Sequence, residues 1–358
     1  MKVTSASVDF PAALAVVREG GSLDADASAR VFETIMSGLV PESDLIAFLT
    51  AQAERGPTVP ELVGAVRAMR LAMREVAAPR GAIDLCGTGG DGHGTLNIST
   101  AVSFVVAGAD VPVAKHGNRS ATSKSGAADI LEALGVKIDL EPARASQVLA
   151  ETGIVFLFAQ VHHPAMRHVS KVRSQIKQRT IFNLLGPLAS PARVKHQLVG
   201  IYDRKWIQPY AEALKALGSQ HALVVHGADG LDELTVTDVT HFARLENGQI
   251  TTGTIAPEEA GLGRSRLSDL KGGGAAENAA ALKRLFGGEK GPYRDIVLLN
   301  AGAALMVSGR AKDVKEGVRL AAQSLDGGAA RETLDALIVA SNRMAPNQTA
   351  SESNAAGQ

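Results

Sequence analysis

The chain has 358 residues, 45% hydrophobic and 21% charged, and its 37 Lys plus Arg are matched by 37 Asp plus Glu. That length and charge exclude bulk disorder and leave room for about two domains, while zero net charge excludes a general nucleic-acid or membrane-surface binder, which carries a basic excess. The lone Cys86 excludes an internal disulfide and a cysteine-built zinc site, and 4% aromatic content offers no stacking platform for nucleic acid. No run of about 18 uncharged apolar residues occurs and the first residues lack the apolar stretch of a signal peptide, so a soluble cytoplasmic protein is expected.

Residues 1 to about 78 carry apolar side chains at three- and four-residue spacing over 10–17, 29–36, 45–53 and 62–73, which predicts a small helical bundle. Thr58 and Glu61 have capping-box spacing before the last of these helices. From Gly81 the pattern changes. A short buried strand runs into GTGGDG, a helix follows over 98–108, and a strand over 111–114 ends at KHGNR, with a helix predicted over 123–134. Further strands are predicted over 136–138, 154–158, 197–201 and 222–225, with helices over 143–151 and 206–217 between them. Alternation of this kind predicts a mostly parallel sheet covered by helices, an α/β domain over about 79–343. A helical stretch at 164–190 interrupts it. THFARLE and QITTGTI predict a hairpin around Asn247-Gly248, and 275–286, 297–307 and 314–340 are again helical. Residues 344–358 are small and polar and read as a disordered tail.

Four motifs carry chemistry. Gly87-Thr88-Gly89-Gly90-Asp91-Gly92, with Thr95 and Asn97-Ile98-Ser99-Thr100, lies between a strand and a helix, where loop N–H groups and the positive helix end can converge on phosphate. Lys115-His116-Gly117-Asn118-Arg119-Ser120 and the residues to Gly126 hold three cations and four hydroxyls in eleven positions, suited to a polyanion at the same carboxyl edge of the sheet. Asp232-Glu233 can hold Mg²⁺ with waters and substrate oxygens, although such pairs also occur in plain surface turns and Asp229 is a rival carboxylate. The stretch 162–188 brings His162, His163, Arg167, Arg173 and Arg179 close in sequence. One of its arginines can take a substrate carboxylate bidentately, but spacing alone does not choose among the three.

Taken together, GTGGDG…TLNIST, KHGNRSATSKSGAADILEALGV, HPAMRHVSKVR…RTIFNLLGPL, VVHGADGLDEL and LNAGAALMVSGRAKDVKEG make the sequence similar to the anthranilate phosphoribosyltransferases over about residues 10–343. The resemblance implies a small helical domain, completed by the excursion at 164–190, and a larger α/β domain related to pyrimidine nucleoside phosphorylases. It implies transfer of a phosphoribosyl group from 5-phosphoribosyl 1-diphosphate to anthranilate, Mg²⁺ as cofactor and a homodimer through the helical domain. Residue by residue, it implies that Gly87, Gly90, Asp91, Thr95, Asn97, Ile98, Ser99 and Thr100 contact the sugar diphosphate. Lys115, His116, Gly117, Asn118, Arg119, Ser120, Ala121, Thr122, Ser123 and Ala127 form the second loop against it, Ala127 standing where many members carry a hydroxyl or small polar residue. Ser99, Asp232 and Glu233 match the magnesium ligands. Gly87, Asn118, His163 and Arg173 match the anthranilate contacts, with Arg173 on the carboxylate, and no residue is implied as general base. Gln175-Ile176-Lys177 replaces a usual Glu-Leu-Gly. Two rival readings are a nucleoside phosphorylase using the KHG loop for phosphate, and a non-catalytic nucleic-acid-binding relative. The intact GTGGD and Asp-Glu motifs and the zero net charge argue against the second.

Overall fold

The computed structural model describes residues 9–120 and 124–343. The N-terminal part comprises α1 (Phe10–Arg18), α2 (Ala25–Met36), α3 (Glu42–Arg55) and α4 (Val59–Ala72). Next come β1 (Ile83–Gly87), α5 (Ile98–Ala107), β2 (Val113–Gly117), α6 (Ala127–Ala133), α7 (Pro142–Thr152) and β3 (Ile154–Phe158). The excursion holds α8 (Ala159–His162), α9 (Arg167–Gln175) and α10 (Phe182–Leu188). β4 (His196–Gly200), α11 (Ile207–Ala216), β5 (His221–Gly227), β6 (Thr240–Glu246) and β7 (Gln249–Ile255) complete the sheet. α12 (Ala275–Phe286), α13 (Pro292–Val307), α14 (Val314–Asp326) and α15 (Ala329–Asn342) close the chain. No helix among the described residues is long and apolar enough to cross a membrane.

The described strands form one sheet of order β3-β2-β1-β4-β5-β6-β7. β1 to β5 are parallel, and β6 and β7 are antiparallel. The parallel strands must bury both faces, because helices cover them above and below; every residue of β3 is buried. β4 and β5 show how one strand serves two cores. Leu198, Leu223 and Val225 pack with α5, α13 and the C-terminal helices, whereas Val199, Ala222 and Val224 face α11 and the N-terminal helices. That second core also takes Val169 and Val172 of α9 and Phe182, Leu184, Leu185 and Leu188 of α10, so the excursion packs with the helices that open the chain. The hairpin forms as expected: Asn247 and Gly248 both adopt positive φ, at 51° and 75°, as a tight two-residue turn requires.

Three local expectations are corrected. The strand expected over 136–138 does not form, and residues 136–140 belong to no strand. Val136, Ile138 and Leu140 are buried alternately, as in a strand, but the segment pairs with no neighbour in the sheet. β2 runs through Lys115, His116 and Gly117, so these residues lie in the sheet and not in the loop after it. α6 begins at Ala127, because Gly126 is extended and donates its N–H to Asp129 Oδ2 at 2.8 Å, which sets the helix start there. Residues 344–358, read above as a tail, lie outside the described residues.

The capping box at α4 is present and is part of a larger device. Glu61 is fully buried and accepts from Arg55 Nη2 at 2.6 and 2.8 Å, from Thr58 N at 2.8 Å and from Leu23 N at 3.1 Å. One carboxylate thus ties the end of α3, the start of α4 and the entry to α2. Removing one member of a buried pair leaves the other charge uncompensated, at a cost of about 3–5 kcal/mol. We therefore expect Glu61→Ala to lower the unfolding free energy by about 3 kcal/mol in urea titration. Asp26→Ala, which breaks the exposed Arg67–Asp26 pair, should change it by less than about 1 kcal/mol.

Candidate active site

The glycine loop leaves β1 at Gly87 and returns at α5. Gly89, Gly90, Gly92 and Gly94 all hold positive φ, between 61° and 83°, which favours glycine at each of these positions. The loop is fastened from behind by residues 270–273: Gly272 N donates to Gly94 O at 2.9 Å, Leu96 N to Leu270 O at 2.9 Å and Lys271 Nζ to His93 O at 2.6 Å. Asn97 sits at the N-cap of α5 but makes no capping bond. Its side chain instead accepts from Asn278 Nδ2 at 2.8 Å and donates to Ser125 O at 3.3 Å. The first-turn N–H groups of α5 are therefore uncapped by that side chain, and the helix end is positive.

The turn after β5 crosses the carboxyl ends of β1 and β4 and lays Asp232 directly on Gly87 and Gly200, which are register partners. A Cβ on Gly87 would stand 2.4 Å from Asp232 Oδ2, and one on Gly200 only 1.5 Å from the Asp232 carbonyl oxygen. Asp232 Oδ2 accepts from Gly89 N at 2.8 Å, so the carboxylate and the glycine loop share one hydrogen bond. Glu233 lies beside the first turn of α5, where the Ser99 N–H favours its charged form. Lys115, 3% exposed, donates from Nζ to Ser99 Oγ at 3.2 Å and to the Leu85 carbonyl, placing a buried cation under the helix end.

Both carboxyls are half-buried and crowded by like charge. Burial first, then the carboxylate of Asp91, pushes Asp232 up to about 7. Burial first, then Asp232, pushes Glu233 up to about 8, with Lys115 opposing. Burial also raises the fully enclosed Asp84 to about 6. These are hard oxygen donors short of positive charge, the chemistry that a divalent cation such as Mg²⁺ satisfies. They do not form a finished cage: no group of three His, Cys, Asp or Glu among the described residues converges on one ion position. Such a set fits a cation that takes its remaining ligands from a phosphorylated substrate and water.

Behind the loop, the rings of His116 and His163 pack at 5.1 Å between centroids, tilted by 48°. His116 N donates to Asp84 Oδ1 at 2.9 Å, and its Nδ1 lies 3.1 Å from the carbonyl of Gly186. Burial, then the neighbouring His162, lowers His163 to about 4, so it is neutral at pH 7. Arg173, on α9, is half-buried with its guanidinium 5.5 Å from the Phe182 ring centroid, and it forms no ion pair or hydrogen bond among the described residues.

Two family models match the chain: the glycosyl transferase family a/b domain over residues 80–331, and the glycosyl transferase family helical bundle domain over residues 11–73. The anthranilate phosphoribosyltransferase of Rhodopseudomonas palustris strain HaA2 is 54% identical over 334 residues, covering 93% of this chain and 99% of that protein. That of Xanthobacter autotrophicus is 54% identical over 338 residues, 94% of this chain and 98% of that protein. The chain belongs to the anthranilate phosphoribosyltransferases. The crystal structure of the anthranilate phosphoribosyltransferase from Thermus thermophilus superposes with a TM-score of 0.88 at 42% identity, covering 92% of this chain and 99% of that one. The Saccharomyces cerevisiae anthranilate phosphoribosyltransferase, in complex with PRPP and Mg, gives 0.86 at 26% identity, covering 95% of this chain and 99% of that one. The relatives carry the transferase's name, so the nucleoside phosphorylase and nucleic-acid-binding readings are set aside.

Within this anthranilate phosphoribosyltransferase the structure brings Gly87, Asp91, Ser99, Lys115, Asp232 and Glu233 to one edge of the sheet. Thr95 is held in the strap by its bridge to Lys271, and Thr100 Oγ1 is buried without a partner among the described residues. Arg119 is turned away from the glycine loop. It pairs with Asp129 at 3.1 Å and with Glu132, and lies over the Phe158 ring. Asn118 Oδ1 accepts from Arg119 N at 2.8 Å, and Ser120 N donates to Asp129 Oδ2 at 3.2 Å, so the second loop is folded back onto α6. Ala121, Thr122 and Ser123 lie outside the described residues. Gly200, Asn278 and Tyr202 support the site without having been singled out in the sequence. The available cue was only a glycine closing the apolar run at 198–201.

The carboxyl shifts set a pH dependence. A carboxyl raised on folding favours its neutral form there, so its contribution is complete below about pH 4 and is lost as pH rises through the folded value. The buried histidines, lowered on folding, work in the opposite direction until the unfolded imidazoles are neutral, so the comparison with Glu233→Gln is what isolates the carboxyl. In chelator, the thermal midpoint should fall between pH 7 and 8.5 by a few degrees, corresponding to about 1 kcal/mol. Glu233→Gln should flatten that fall, as read by differential scanning fluorimetry.

Proposed function

We propose that this chain transfers the phosphoribosyl group of 5-phosphoribosyl 1-diphosphate to the amine of anthranilate, giving N-(5-phosphoribosyl)anthranilate and diphosphate, as a cytoplasmic step of tryptophan biosynthesis. The observation that carries the reading is the seating of Asp232 on Gly87 and Gly200, with its oxygen on Gly89 N–H. It puts the carboxylate pair beside the glycine loop and a helix end that Asn97 leaves uncapped, which suits a diphosphate with a cation.

In this reading Gly87, Gly90, Asp91, Thr95 and Asn97 to Thr100 receive the diphosphate, with the second loop to Ser123 and Ala127 along the ribose phosphate. Lys115 holds Ser99 in place from below and offsets Glu233. Asp232, Glu233 and Ser99 would hold Mg²⁺, which when bound supplies positive charge against the leaving diphosphate. The C1–O bond to diphosphate breaks, the C1–N bond forms, and the proton lost by the amine passes to the released diphosphate or to water. An aromatic amine is neutral at pH 7, so no strong base is needed and none is assigned. His163, kept neutral by burial, stands beside the anthranilate with Asn118 and Gly87 without competing for its carboxylate as a cation. That role falls to Arg173, a half-buried guanidinium over the Phe182 ring with no ion pair among the described residues. Holding the two substrates in register supplies the remaining rate enhancement.

The helical part over 1–78 with 164–190, and the α/β part over 79–343, are read as two domains with the site between them. Exposed Val16, Leu39 and Leu71 on the N-terminal helices and their connections support pairing of two copies through that part.

Steady-state kinetics with each substrate varied test the assignment. Arg173→Ala should raise the Michaelis constant for anthranilate about 30-fold or more and leave that for the sugar diphosphate within about threefold. Arg167→Ala, on an exposed position of the same helix, should change neither. Equal losses for the two variants would place the carboxylate elsewhere.

A further inference from the structure

The linker between α9 and α10 sends one side chain from the helical part across to the glycine loop. Gln178 Nε2 donates to the Thr50 carbonyl at 3.4 Å, and Thr180 N donates to Asn183 Oδ1 at 2.9 Å, so the backbone on both sides of residue 179 is anchored to helices. From that anchor Arg179 donates through Nη2 to the carbonyl of Gly90. The same guanidinium lies 3.8 Å from the centroid of the Tyr202 ring. Tyr202 is itself fixed to the loop, its N–H donating to Thr88 Oγ1 at 3.1 Å. Both contacts of Arg179 therefore bear on residues 88–90.

A trans peptide points its carbonyl and its N–H in opposite directions. With the Gly90 carbonyl turned to Arg179, the N–H of Asp91 is turned the other way, and among the described residues it meets no acceptor. Gly90, at φ +83°, flanks that peptide on one side and lowers the barrier to flipping it, so an external partner on its carbonyl helps hold it. A guanidinium on the carbonyl also polarises the peptide and strengthens its N–H as a donor.

We infer that Arg179 is a positioning residue for the sugar-diphosphate substrate: its grip on the Gly90 carbonyl and its stacking on Tyr202 aim the Asp91 N–H at the diphosphate. The inference rests on the proposed function and deepens it. It separates two arginines that spacing could not rank. Arg173 is free to take a substrate carboxylate, while Arg179 is already committed to the loop.

The test is steady-state kinetics with each substrate varied, on the full chain, for wild type, Arg179→Ala, Arg179→Lys, Tyr202→Ala and the double Ala variant, with thermal midpoints to confirm folding. Arg179→Ala should raise the Michaelis constant for 5-phosphoribosyl 1-diphosphate about 10- to 100-fold, as expected for a lost charge-assisted bond, and leave that for anthranilate within about twofold. Arg179→Lys should recover part, keeping the bond but losing the planar stack. The double variant should be no worse than Arg179→Ala, since both side chains act through one guanidinium. If Arg179→Ala does not fold, Arg179→Lys and Tyr202→Ala must show the same selectivity for the sugar substrate. A selective loss for anthranilate, or unchanged constants for both substrates, overturns the inference. A wild type that consumes no anthranilate overturns the functional reading itself, so the two failures are distinguishable.

Discussion

Every feature of the site is arranged around one close approach, the backbone of Asp232 against Gly87 and Gly200. The two glycines are neighbours at the carboxyl ends of β1 and β4, and a methyl group on Gly200 would fall 1.5 Å from the Asp232 carbonyl oxygen. A side chain there would have to push the whole turn off the sheet. Without one, the turn after β5 lies across the strand ends and brings two acidic side chains to the mouth of the glycine loop. The Gly89 N–H to Asp232 bond then ties turn and loop together. The sheet supplies rigidity and the glycines supply access, which is why chemistry collects at this edge of an α/β fold.

Electrostatically, the arrangement is unfavourable until something else arrives. Burial raises Asp232 and Glu233, the Asp91 carboxylate adds to the rise of both, Asp232 adds to that of Glu233, and Lys115 offsets only part of the deficit at Glu233. A site in this state is built for a cation carrying an anionic partner. In the proposed reading the end of α5, left uncapped by Asn97, would meet the anion while the carboxylates meet the cation. The histidines behind the loop work in the opposite sense. Burial keeps His163 neutral, so in the proposed reading positive charge for the acceptor comes from arginine, which stays ionised where a buried imidazole does not.

Much of this was legible in the amino-acid sequence. Alternating apolar runs and helical periodicity located the parallel strands and nearly every helix, because both patterns report burial directly. The Thr58–Glu61 cap was readable because a capping box is local. Residues 136–140 show the limit: alternate burial looks the same whether or not a partner strand exists. Lys115 and His116 were expected in a loop because their polarity masked a strand. Their partners, Ser99 and Asp84, are distant in sequence. The turning of Arg119 onto Asp129 and Glu132, and of Arg179 onto Gly90, depends on which side of a loop a flexible side chain takes, and spacing carries no information on that.

The claim on which the rest depends is that the carboxylate pair receives the substrate's cation. The most direct measurement is a crystal structure of the protein with 5-phosphoribosyl 1-diphosphate and Mn²⁺, with the metal located by its anomalous signal. The account predicts an anomalous peak between the diphosphate and residues 232–233, bonded to Asp232 or Glu233 or to a water they hold. Metal held by the diphosphate alone, with both carboxylates turned away and the Gly89 to Asp232 hydrogen bond unchanged, would contradict it.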